Sequence, residues 1–168
     1  MSTREYIDKL ANLQEGDLGL LRTHAGQGID HSPQAFDLFA GLWWPLRQKN
    51  QKTPRREVAW LVAKLYAACP IAHTPDALFA RQLARCQPPT KLERKRFRQR
   101  FDSILIQSID TIEEPLRWAL GGLYENKLGL DWEKLTDDLS IWHREPKRRA
   151  WAEQFLGIKN TEGEDDAD

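Results

Sequence analysis

Thr90-Lys91-Leu92-Glu93-Arg94-Lys95-Arg96-Phe97-Arg98-Gln99-Arg100-Phe101 is the stretch from which the fold can be worked outward. Thr90 followed three residues later by Glu93 spells a capping box, so a helix is expected to start here and run on through Ile104 and Leu105. At about 100° per residue, Phe97, Phe101, Ile104 and Leu105 fall on one side of that helix. Lys95, Arg96 and Arg100 fall on the other, with Arg94 and Arg98 on a flank. Six bases (Lys91, Arg94, Lys95, Arg96, Arg98, Arg100) stand against the single acid Glu93. Unpaired positive charge at this density repels itself, and a polyanion is its natural partner. A plain solvated face is the competing reading, since charge runs are common on helical surfaces.

Elsewhere the chain repeats the helical pattern. Apolar residues recur at steps of three and four, and strand-like alternation is almost absent. Ser32-Pro33, Thr53-Pro54 and Thr74-Pro75 each place an N-cap residue before a proline at the first helical position, and Thr111 with Glu114 forms a second capping box. The expected helices are Arg4 to Leu13, a second capped by Gly16-Asp17 and ending at Gly26, Pro33 to Leu42, Pro54 to Cys69 and Pro75 to Arg85. After the basic helix come Ile112 to Tyr124, Asp131 to His143 and Pro146 to Leu156. Trp43 to Thr53 is expected as a polar, basic connection. The fold class is all-α, a compact bundle of about nine short helices without a β-sheet. Trp60, Leu61, Leu65, Phe97, Phe101, Leu120 and Leu139 are expected in its core.

The 168 residues suit one domain with a sizeable core, and the formal net charge of zero conceals an asymmetry. Residues 162–168 hold five acids and no base, so the remainder carries 25 bases against 20 acids, about +5. Residues 1–158 are expected to form the domain and 159–168 a disordered acidic tail, with nothing apolar to bury beyond Ala167. A solubilising role is the favoured expectation for that tail; covering a basic groove as a nucleic-acid mimic is the alternative. The polar N-terminus does not resemble a signal peptide, and no apolar run approaches membrane-spanning length. Cys69 and Cys86 are expected as free thiols, and a reduced cytoplasmic setting is expected for the chain.

Catalytic constellations are thin. Glu125-Asn126-Lys127 spells the Glu-x-Lys of many nucleases but falls at a helix end rather than on a strand. Substituting Glu125 by Gln is therefore expected to leave function intact. Glu113-Glu114 and Asp137-Asp138 are adjacent pairs pointing to different faces, read as N-terminal helix charges and as solvated face. Cys69, His73 and Cys86 lack a local fourth ligand and are expected as small thiols and a loop histidine. Gly121-Gly122 is attributed to close helix packing. No cofactor or metal is expected, and the chain is read as a non-enzyme. Basic clusters stand out instead: Lys49, Lys52, Arg55 and Arg56 beside Arg47, then Arg144, Arg148 and Arg149 beside Lys147. Together with the central helix they could converge on one groove that contacts phosphates without reading bases. Trp43, Trp44 and Trp151 are expected in the core rather than as stacking platforms.

Leu13-Gln14-Glu15-Gly16-Asp17 followed by Leu20-Leu21-Arg22 resembles the N-terminal signature of the CasB family, the small subunit of the type I-E CRISPR Cascade complex. Leu130-Asp131-Trp132, Leu135, Leu139, Trp142, Arg148, Arg149 and Phe155-Leu156 resemble its C-terminal run, and Glu93-Arg94-Lys95-x-Phe97 its central basic helix. The similarity covers roughly residues 13–158. It implies a non-catalytic subunit present with a second copy of itself, packed along the backbone subunits that carry guide RNA. It further implies contact with the large subunit and with target DNA, especially the displaced strand. By position it points to Arg22, Arg94, Lys95, Arg117, Arg148 and Arg149 as nucleic-acid contacts; Thr23 departs from a second arginine usual there. A protein-interaction subunit docking acidic partners is the alternative, and a nuclease a third.

Overall fold

The computed structural model describes residues 2–157, and the acidic tail lies outside them. Among the described residues nine α-helices follow one another: α1 Ser2–Ala11, α2 Glu15–Thr23, α3 Pro33–Lys49, α4 Arg56–Ala68, α5 Phe79–Ala84, α6 Lys91–Leu105, α7 Glu113–Glu125, α8 Trp132–Ser140 and α9 Glu145–Leu156. A 3-10 turn at Ile29–His31 links α2 to α3. No strand forms among the described residues; a single parallel bridge pairs His73 with Leu130.

The bundle is organised around α4. Its sequence is apolar almost all round, and every residue from Val58 to Ala67 is buried, as befits a helix surrounded on all sides. Helices α2, α3, α7 and α8 pack against it. Tyr6 of α1 reaches its backbone, donating its hydroxyl to the Ala59 carbonyl at 2.6 Å; burial pushes that phenol far above its ordinary value. Among the described residues Lys64 is the one buried lysine, and it is tethered. Its ammonium donates to Glu113 of α7 and to the Gln27 carbonyl, while burial, opposed by Glu113, lowers its pKa. Glu113 also accepts the Gly26 amide N–H at 2.8 Å, so it ties α7, α4 and the loop after α2 together.

Helix starts show which local signals survive tertiary packing. Thr90 caps α6, its side chain accepting the Glu93 N–H, and Asp131 caps α8 by accepting the Lys134 N–H. Ser32 precedes α3, but its hydroxyl donates to the Gly28 carbonyl instead of capping. The other expected starts are displaced. Thr53 donates to the Leu46 carbonyl, and α4 begins only at Arg56. Residues 74–77 pair with the segment before α8, through Thr74 N–H to Leu130 and Asp131 N–H to Ala77, which delays α5 to Phe79. Thr111 accepts the Ser108 N–H rather than capping α7. Gly16 and Asp17 lie inside the first turn of α2, whose N-cap is Gln14.

The expected break after Leu42 does not occur. Helix α3 continues through Pro45 to Lys49. The turn after it folds back on its last turns: the Trp43 indole donates to the Pro54 carbonyl, and Arg47 donates to the carbonyls of Gln51 and Thr53. The close packing expected at Gly121-Gly122 is also absent, since a Cβ on either would meet no atom within 4 Å. Trp60, Leu61, Leu65, Phe101, Leu120 and Leu139 are buried as expected, whereas Phe97 is only half-buried. Trp151 is core, Trp43 half-buried, and Trp44 stands 51% exposed.

Candidate nucleic-acid interface

Helix α6 is a one-sided element anchored by aromatic stacking. Phe101 stacks on Phe155 of α9 at 4.2 Å between ring centroids, and Phe97 packs between Trp118 of α7 and Phe155. Phe101 and Ile104 are fully buried. This inner face holds the helix while its outer face projects to solvent: Lys91, Arg94, Lys95 and Arg96 are exposed and have no side-chain partner among the described residues. The remaining two bases are engaged. Arg98 donates to Asp102 at 2.8 Å and lies over Phe155. The Arg100 guanidinium sits 4.3 Å above the Trp118 ring, beside a shallow groove lined by Glu93, Arg96, Phe97 and Pro88.

The second and third clusters meet each other. Arg55 donates to the Ser140 carbonyl at the end of α8 at 2.6 Å, and the Arg144 N–H donates to the Ile141 carbonyl one residue further on. Lys49, Lys52 and Arg144 are exposed. Arg56 lies 3.9 Å from Asp30 and 3.8 Å from Glu57, and Arg149 pairs with Glu145 at 3.1 Å. Arg148 joins this region to α6, donating to the Trp142 carbonyl and to the Gln107 carbonyl just past the α6 C-terminus. Arg148 thus links the α8–α9 junction to the C-terminal end of α6, while the unpaired α6 cations stand toward the other end of that helix, about 18 Å up the helix from Gln107 to Lys95.

Two residues assigned by resemblance are tied inside the bundle's own network. Arg22 pairs with Glu15 and donates to the Ala67 carbonyl at the end of α4. Arg117 lies 3.8 Å from Glu113. Leu21, Trp132, Leu135, Leu139, Trp142 and Phe155, prominent in the resembling runs, are buried. The reading of Asp138 as solvated is overturned: it is buried, accepts the Trp151 indole N–H at 2.9 Å, and has Lys134 and Lys147 within 3.6 Å. Lys147 of the third cluster is therefore committed internally. A signal was present, since Asp138 stands three residues from both Leu135 and Ile141, on the apolar side of α8.

Among the described residues no three His, Cys, Asp or Glu side chains gather where they could hold a metal ion. His73 Nδ1 accepts the Trp132 N–H, and burial pushes the Cys69 and Cys86 thiols up. Glu125 closes α7 and Lys127 follows it in the left-handed region, both exposed. No helix among the described residues is long and apolar enough to cross a membrane.

Comparison with curated protein sequences gives no match. Among solved structures the chain is similar to CasB from Thermus thermophilus (TM-score 0.71, 23% identity, covering 92% of this chain and 96% of that one). It is similar as well to M. ruber CasB (TM-score 0.68, 21% identity, 94% of each chain). CasB from Thermobifida fusca shares the fold at 18% identity (TM-score 0.67, covering 92% of this chain and 93% of that one). The family model described as CRISPR-associated protein Cse2 matches residues 17–156, a span that takes in α3 to α9 with the basic face of α6, and the chain belongs to that Cse2 (CasB) family.

Proposed function

We propose that this chain is a non-catalytic small subunit of a type I-E CRISPR Cascade surveillance complex, working in the cytoplasm in antiviral defence. It sits there with a second copy of itself against the backbone and large subunits, and its basic faces hold guide RNA and target DNA, chiefly the displaced strand. One observation carries the reading: Lys91, Arg94, Lys95 and Arg96 stand exposed without a side-chain partner on a helix whose other face is locked into the core. Four such cations cost self-repulsion until an anion arrives. Exchanging a DNA duplex for a guide–target heteroduplex is nearly balanced in free energy, so a few phosphate contacts suffice to tip it. Residues 1–158 form the binding and assembly domain in this reading. Lys49, Lys52, Arg144 and Arg149, together with Arg55, Arg56 and Arg100, extend the contact, while Arg22, Arg98, Arg117 and Arg148 chiefly hold the scaffold.

The test is a salt series of target binding by the assembled complex, with wild type and with the Arg94→Ala, Lys95→Ala, Arg96→Ala triple variant. Each single-strand phosphate neutralised contributes about 0.7 to the slope of log affinity against log salt, so the variant should bind more weakly and lose up to about 2 units of slope. Affinity should not depend on base sequence. Parallel slopes with equal affinity would refute the phosphate role and favour basic faces that dock acidic protein partners.

A further inference from the structure

Helix α9 runs antiparallel to α6. Arg148 in its first half bonds to Gln107 beyond the C-terminus of α6, and Phe155 in its last turn stacks on Phe97 and Phe101 in the middle of α6. The described chain therefore ends, at Gly157, beside Arg98, whose guanidinium lies 5.5 Å from the Phe155 ring. Gly157 thus stands nearer than Arg148 does to the N-terminal half of α6, which carries the four unpartnered cations. Residues 158–168 follow, with acids at Glu162, Glu164, Asp165, Asp166 and Asp168. Four residues lie between Gly157 and Glu162, and the five steps between them reach about 16 Å. Lys91 lies only about 10 Å along the helix axis from Arg98.

We propose that residues 162–168 dock on the outer face of α6, over Lys91, Arg94, Lys95 and Arg96, as a tethered polyanion that nucleic acid must displace. Five carboxylates against four free cations nearly cancel the charge of that face. The tether supplies an effective concentration in the millimolar range without any further contact. Arg144 caps the opposite end of α9, close to the Ser140 carbonyl that Arg55 bonds, so the first acids of the segment meet α6 before they meet those cations. Displacement of the tail by phosphates deepens the function proposed above and rests on it; docking itself does not. The consequence is discrimination: a short or weak polyanion fails to open the face, and an extended strand of phosphates succeeds.

Zero-length carbodiimide coupling on the full-length chain, with tail–lysine linkages in the monomer located by mass spectrometry, tests docking directly. Linkages to Lys91 and Lys95 are expected at about 50 mM salt and should vanish near 0.5 M, where screening is nearly complete within a few ångströms. Linkages spread evenly over Lys49, Lys52, Lys127 and Lys147 would overturn the proposal. A full-length variant with Glu162→Gln, Glu164→Gln, Asp165→Asn, Asp166→Asn and Asp168→Asn should bind a single-stranded oligodeoxynucleotide roughly tenfold more tightly at low salt, corresponding to a tail docked about nine-tenths of the time. The two affinities should converge at high salt. Equal affinities at low salt would overturn displacement. Lys91 and Lys95 linkages in a chain that binds no oligonucleotide at any salt would uphold docking and refute the nucleic-acid reading of α6.

Discussion

Asp138 accepts the Trp151 indole N–H at 2.9 Å while only 4% exposed, and Lys134 and Lys147 approach its other oxygen at 3.3 and 3.6 Å. Its neighbour Asp137 is exposed and accepts only the Thr3 hydroxyl from α1. Two adjacent identical side chains therefore carry unequal structural weight. Asp138→Ala would bury the indole N–H without an acceptor and leave two ammonium groups uncompensated. A loss of about 2–4 kcal/mol is expected in urea unfolding. Asp137→Ala should cost about 1 kcal/mol or less. Equal losses would mean that the Trp151 contact is not what holds α8 to α9. Lys64 and Glu113 follow the same logic at the centre of the bundle, where a buried ammonium is tolerated because a carboxylate and a carbonyl meet it.

Helix α6 divides its labour between two aromatic positions. Phe101 is fully buried and stacked, whereas Phe97 is half-buried at the rim between Trp118 and Phe155. Phe101→Ala should cost about 3–5 kcal/mol, and Phe97→Ala less, about 1–3 kcal/mol. Guanidinium unfolding of the two variants checks the order; a reversed order would mean the rim, not the core, anchors the basic face. Helix α3 makes the complementary point. Pro45 and the polar run after it look like the end of a helix, since an internal proline loses a backbone bond and crowds the preceding turn. The helix nonetheless runs on to Lys49, because Leu46 is buried and Trp43, Arg47 and Thr53 fasten the following turn onto it. Pro45 itself is exposed, on the solvent side of the helix.

Across the whole molecule Arg148 is bonded at the C-terminal end of α6, and Arg55 is bonded at the α8–α9 junction. Lys95 stands about 18 Å along α6 from Gln107, and the two ends share no side-chain partner among the described residues. Neutralising Lys49 and Lys52 should therefore add to the Arg94–Arg96 triple variant in weakening single-strand binding, within about 0.5 kcal/mol of the sum. Fluorescence titration of the full-length chain measures both sets and their combination. Coupling above about 1 kcal/mol would reveal one shared pocket in place of an extended track.

Periodicity alone determined that this chain is helical, that about nine helices form, and that α6 buries Phe101 and Ile104 while exposing its bases. These are consequences of spacing on a single element, and α6 also carries a cap, Thr90, that nothing else competes for. Tertiary structure decided the rest. Thr53 and Thr74 found partners other than the helix starts beside them, because folding brought the Leu46 carbonyl and the segment before α8 within reach, while Thr111 closes a local turn with Ser108. It also decided which cations are free. Arg22, Arg98, Arg117 and Arg148 read in sequence like Arg94 and Arg96, but their acceptors lie from four to forty-five residues away. Only the packed chain shows which charges it has already neutralised for itself, and so which remain for a partner.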